Sequence, residues 1–180
     1  RLLGETRDDA AGEAFDKGAR ILGLGYPGGP AIEREAIGGY SSTHRFPRGL
    51  MGKESLEFSF SGLKTSLLYF MDDFRESDSM TKKDIIASYQ QAIVDTLVEK
   101  MKRAIDKTKV KRCVIAGGVA ANNCLRESLK ASLPEIQILF PDLSYCTDNA
   151  AMISFLGEIK YQSGEFGSLD FGVIPNLKLT

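Results

Sequence analysis

The order of apolar and polar positions divides this chain into helical and strand-like stretches. Between residues 8 and 24, Ala11, Ala14, Phe15, Ile21 and Leu22 recur at helical spacing behind Asp8, a predicted N-cap. Gly23 and Gly25 end that stretch, and Tyr26-Pro27-Gly28-Gly29-Pro30 forces a turn. A short helix is predicted from about Ala31 to Ala36, then a Gly-, Ser- and Pro-containing loop from 38 to 54. Leu56, Phe58 and Phe60 alternate with Glu57 and Ser59, the period of a half-buried strand. Ser61-Gly62-Leu63-Lys64-Thr65 then turns into a helix carrying Leu67, Leu68 and Phe70. Thr81 and Asp84 have the spacing of a capping box, and behind them Ile85, Tyr89, Ala92, Ile93, Thr96, Leu97 and Met101 share one face.

The last third changes period. Residues 112–116 form a short apolar run that Gly117-Gly118 turns, and a helix is predicted from about Ala120 to Leu133. Ile136 to Phe140 is a second strand, stopped by Pro141. Asp148 opens a final helix predicted to point Met152, Ile153, Leu156 and Ile159 inward. Strand, helix, strand, helix predicts an α/β fold with a parallel or mixed sheet. The division falls near 110: residues 1–110 are mostly helical and 111–180 read as a βαβα segment.

Composition narrows the class. Of 180 residues, 43% are hydrophobic and 26% charged, which suits a folded core rather than a disordered tail. No run is long enough for a membrane span, and the opening RLLGETRDDA lacks the apolar centre of a signal peptide. The chain opens on Arg1 and is expected to be part of a longer protein. The formal net charge is −1, so global charge gives no footprint for nucleic acid. The basic stretch Lys100, Lys102, Arg103, Lys107, Lys109, Lys111 and Arg112 reads first as a solvated helix end at the negative pole of the helix dipole. Cys113, Cys124 and Cys146 form no CxxC, hence neither a disulfide framework nor a thiolate zinc site, and a reducing cytoplasm is the expected setting. His44 is the single histidine, which leaves HExxH metalloprotease chemistry unsupplied.

Five constellations can carry chemistry. Asp9, Glu13 and Asp16 share a helical face; Asp16 either pairs with Arg20 or points its carboxylate at a ligand hydroxyl. Gly28-Gly29 is either a rigid turn or a place where backbone approaches a ligand, with Glu33 one turn further on. The run from Ile115 to Asn123 ends a strand in two glycines before a helix N-terminus, a shape that packs tightly or receives a nucleotide, with Asn122 offering donor and acceptor. Asp148 in CTDNAAM is either an N-cap or a metal ligand. Ser59 to Thr65 is a strand–helix junction that also has the means to meet phosphate through Lys64.

DDAAGEAFDKGARILGLGYPGGP, FSFSGLKTS, AGGVAANNCLR and CTDNAAM occur in that order, and together they resemble the carboxy-terminal part of the TsaD family of tRNA threonylcarbamoyladenosine synthases. The resemblance spans nearly the whole chain. It implies an actin/Hsp70/sugar-kinase-like lobe, with the amino-terminal lobe outside this chain. It implies transfer of a threonylcarbamoyl group from threonylcarbamoyl-adenylate to N6 of adenosine 37 in tRNAs that read ANN codons, by an acyltransferase of the cytoplasm. It implies one divalent metal ion, iron or zinc, bound by an HxxxH motif and an aspartate that here is Asp148. Nucleotide contacts carry over onto Asp16, Gly29, Glu33 and Asn122; no catalytic base carries over. The implied partners are tRNA, the adenylate and the bacterial companion proteins TsaB and TsaE. No HxxxH is present, so this segment alone is expected to be inactive. The rival readings are an ATP-binding kinase or ATPase of the same superfold, the metalloprotease of an older family label (O-sialoglycoprotein endopeptidase), and a non-catalytic partner module.

Overall fold

A computed structural model describes residues 1–52, 54–77, 79–170 and 172. The chain divides into two compact units, Arg1–Cys146 and Thr147–Thr180. The first unit is built around one long helix. Helix α1 is Ala11–Ile21, α2 Gly28–Ala36, α3 Ser61–Asp73 and α4 Lys82–Thr108. Strand β1 (Arg112–Val114), a 3-10 turn (Gly118–Ala121), helix α5 (Asn123–Ser132), strand β2 (Gln137–Leu139) and a second 3-10 turn (Leu143–Tyr145) complete it.

Helix α4 starts where the sequence predicts. The Thr81 hydroxyl accepts from Asp84 N–H at 3.3 Å, and the Asp84 carboxylate accepts from Thr81 N–H at 2.8 Å. The same carboxylate accepts from Tyr40 N–H at 2.7 Å; these hydrogen bonds hold its pKa below the usual carboxylate range. Every residue from Asp84 to Gln90 is buried, so α4 is surrounded on all sides at this level. Its first half joins Phe15, Ile32, Phe46, Phe60 and Leu67 in the larger core. Its second half packs Val94 and Val98 against Leu125 and Leu129, with Ile138 and Phe140 of the sheet side beside them. Lys109, with φ 58°, ends the helix.

The two strands pair in parallel, Arg112 with Gln137, Cys113 with Ile138 and Val114 with Leu139, and α5 is the connection that a parallel pair requires. One face turns Ile138 to the second core, while Val114 and Leu139 lie exposed on the other. The mixed α/β class is therefore present with a sheet of two strands. Among the described residues the alternating stretch at 56–60 pairs only through a bridge between Thr6 and Phe58, although Leu56 and Phe60 are buried as the alternation predicts.

Three local expectations are corrected. Asp8 does not cap α1: the capping residue is Ala10, whose N–H donates to the Glu13 carboxylate at 2.8 Å. Asp8 instead caps α3, accepting from Phe60 N–H at 2.8 Å, Ser61 N–H at 3.3 Å and the hydroxyls of Ser59 and Ser61. Desolvation pushes this carboxyl up, but those hydrogen bonds outweigh it and hold the pKa at about 2. The second correction is α2, which begins at Gly28 rather than Ala31. The third is the basic run, which is not uniformly solvated. Lys100 is 2% exposed and donates to the carbonyls of Leu50 and Ser55, and Arg103 reaches those of Met51 and Gly52. These two cations tie the 50–55 stretch, of which residue 53 lies outside the described residues, to α4.

In the second unit, α6 is Ala150–Gln162, and the expected cap is displaced by one residue. Asn149 accepts from Met152 N–H at 3.1 Å, so Asn149 rather than Asp148 caps the helix. Met152, Ile153, Leu156 and Ile159 are exposed rather than inward, together with Phe155. No described helix is long and apolar enough to cross a membrane.

Candidate nucleotide-contacting site

The residues singled out on α1 and α2 meet where the two helices join. Asp16 lies in the second turn of α1, and its Oδ1 accepts from Gly28 N–H at 2.7 Å. Of the two alternatives for Asp16, the pair with Arg20 is absent among the described residues; the carboxylate is turned to the first free amide of α2. Gly28 has no room for a side chain: a Cβ there would stand 2.5 Å from Asp16 Cα and 2.7 Å from Phe15 O. The tight approach is thus between two helices. Gly29 differs, since nothing lies within 4 Å of where its Cβ would stand. Among the described residues the Gly29 N–H and Asp16 Oδ2 take no hydrogen bond, which leaves a donor and an acceptor at the start of α2. Asp16 also lines a cleft of about 580 Å³ with Glu13, Lys17, Arg20 and Tyr26. Asp9 and Glu13, its predicted companions, are both within ion-pair reach of Lys17.

Glu33 and Asn122 are drawn together from opposite ends of the unit's sequence. The Glu33 carboxylate accepts from Asn123 N–H at 2.6 Å, at the first residue of α5. Asn122 is the N-cap of that helix, accepting from Leu125 N–H at 2.9 Å, and its side-chain amide donates to Gln90 Oε1 at 2.9 Å. Asn122 is buried, so both ends of its amide are used within the protein. Gly117 makes the turn possible: its φ of 91° is a backbone state that other residues rarely adopt. A second cleft, of about 620 Å³, is lined by Glu33, Arg34, Gln90, Asn123, Cys124 and Glu127 among others. Asp16 and Glu33 therefore line different clefts. Sequence reasoning missed Gln90; the signal was a polar residue next to Tyr89 on a helix otherwise buried there.

The metal that the resemblance implies finds no complete site. Among the described residues no group of three or more His, Cys, Asp and Glu side chains is placed to hold an ion. His44 packs against Phe46 and Phe70, with ring centroids 4.4 and 4.2 Å away, and burial lowers its pKa. Asp148 is exposed and is a single carboxylate. The described residues do not fit an iron or zinc centre by themselves.

Comparison with known proteins gives these positions a context. The family described as "TsaD: tRNA N6-adenosine threonylcarbamoyltransferase" matches residues 1–155. The tRNA N6-adenosine threonylcarbamoyltransferase of Thermosipho africanus (strain TCF52B) is 47% identical over 180 residues, covering 99% of this chain and 54% of the relative. Those of Clostridium botulinum (strain Kyoto / Type A2) and Clostridium kluyveri (strain NBRC 12016) are 45% and 46% identical, each covering 99% of this chain and 53% of the relative. The chain thus spans about half the length of the curated relatives it matches. In fold it resembles the crystal structure of T. kodakarensis HypF, with a TM-score of 0.63 at 20% identity over 87% of this chain and 20% of HypF. On the extent of these matches, the chain belongs to the TsaD family, tRNA N6-adenosine threonylcarbamoyltransferase.

Proposed function

We propose that the full-length protein transfers a threonylcarbamoyl group from threonylcarbamoyl-adenylate to N6 of adenosine 37 in ANN-decoding tRNAs, and that this chain supplies part of its nucleotide grip. The observation that carries the reading is the family match over residues 1–155. The open Gly29 N–H and the free oxygen of Asp16 support it, since a ribose hydroxyl needs one acceptor and one donor. Glu33, beside the Asn122 turn, lines a separate cleft that would take another part of the adenylate. Asp148 contributes one carboxylate to an iron or zinc ion whose other ligands lie in the half of the relatives that this chain does not span. The lobe is of the actin/Hsp70/sugar-kinase type, the setting is the cytoplasm, and the companions are of the TsaB and TsaE kind. The test is to incubate the full-length protein and its companions with threonylcarbamoyl-adenylate and tRNA, then digest the tRNA and measure threonylcarbamoyladenosine by mass spectrometry. Modified adenosine is expected at position 37; tRNA recovered unmodified overturns the reading.

A further inference from the structure

Arg126 ends the AGGVAANNCLR stretch, sits half-buried on α5, and shares its guanidinium among separate segments. Its Nε donates to Ala120 O at 2.6 Å, in the turn that delivers Asn122. Its Nη2 donates to Pro141 O at 2.9 Å, just beyond β2, and to Cys146 Sγ at 3.5 Å. Its Cζ stands 4.9 Å from the centre of the Phe140 ring. Cys146 is 3% exposed, is the last residue of the first unit, and precedes Asp148 by two positions.

Among the described residues no carboxylate pairs with this cation. Half-buried charge is costly to desolvate, and an apolar side chain would cover Phe140 without that cost. What an apolar side chain or a lysine lacks is a rigid planar fork that meets two carbonyls and a sulfur from one place. We propose that Arg126 is a positioning residue, which fixes the Asn122 turn and the Cys146 end of the first unit in one register. The proposal rests on the nucleotide-contacting role proposed for the turn that carries Asn122.

The test uses the full-length protein with Arg126→Lys and Arg126→Met, the second keeping an apolar stem over Phe140. Alkylation of Cys146 by iodoacetamide is followed by peptide mass spectrometry, with Cys113 and Cys124 as internal references. AMP affinity is measured by calorimetry beside thermal melting. Both variants are expected to alkylate Cys146 about tenfold faster or more and to bind AMP weaker by a similar factor, with a lowered but still cooperative melting transition. Cys146 that stays protected, or AMP affinity that stays native, overturns the coupling. Equal acceleration at all three cysteines overturns it too, because that is general loosening. A wild-type protein that binds no AMP overturns the nucleotide reading beneath it, and is recognised before any substitution is made.

Discussion

At the first turn of α6, Asn149 carries the cap and leaves the Asp148 carboxylate free of that duty. Capping and metal binding can therefore be separated by neighbouring substitutions. Asn149→Ala should cost about 0.5–2 kcal/mol. Asp148→Asn and Asp148→Ala should each leave stability within about 0.5 kcal/mol, as exposed positions without a cap do. In the full-length protein both Asp148 variants should lose bound iron or zinc, since an amide is a poor ligand for either. Metal analysis beside a melting curve checks this, and full metal content in Asp148→Asn withdraws the ligand role. The sequence reading puts Asp148 at the start of the helix, one residue before the amide that caps it. Which of the two caps depends on backbone angles at a helix entry, which side-chain chemistry alone leaves undetermined.

Elements were legible where their determinants are local. Thr81 and Asp84 are three residues apart, and the apolar positions behind them recur at helical spacing, so the start of α4 is legible, whereas its burial on all sides from Asp84 to Gln90 is not. Asp8 was misread because its partners lie about fifty residues on, at the start of α3. Lys100 and Arg103 were misread for the same reason, their partners being carbonyls of a distant loop. The contact of α1 with α4 also depends on such a pairing. Tyr89 is fully buried and its hydroxyl donates to Ala14 O at 2.8 Å, where burial raises its pKa. A Cβ on Gly18 would stand 2.3 Å from the Tyr89 ring. The ring is pinned at its far end, so it has little freedom to yield. Gly18→Ala should therefore destabilise by about 1–3 kcal/mol, despite the better helix propensity of alanine. Gly12→Ala is the control, because its Cβ would meet only Val119 Cγ2 at an ordinary 3.8 Å. Melting of Gly18→Ala at the wild-type temperature would show that α1 and α4 pack otherwise.

At the scale of the whole molecule, the described residues hold candidate ligand contacts but no group of side chains placed to bind a metal ion. In the proposed function Asp16 borders one cleft and Glu33, beside the Asn122 turn, borders another. The five proposed site positions rest on the combined motifs, because each motif taken singly is a common turn or cap. Exposed Val114 and Leu139 on the sheet, and exposed Ile153 and Phe155 on α6, were not legible, since the periodicity of an apolar face does not say what covers it. The nucleotide grip is the claim on which the functional reading of this chain depends. It is tested most directly by calorimetric titration of AMP into the full-length protein and its Asp16→Ala, Glu33→Ala double variant. Each lost charged hydrogen bond is worth about 1.5–3 kcal/mol, so the variant should bind AMP about a hundredfold more weakly or worse. AMP affinity equal to wild type in a folded double variant would contradict the account.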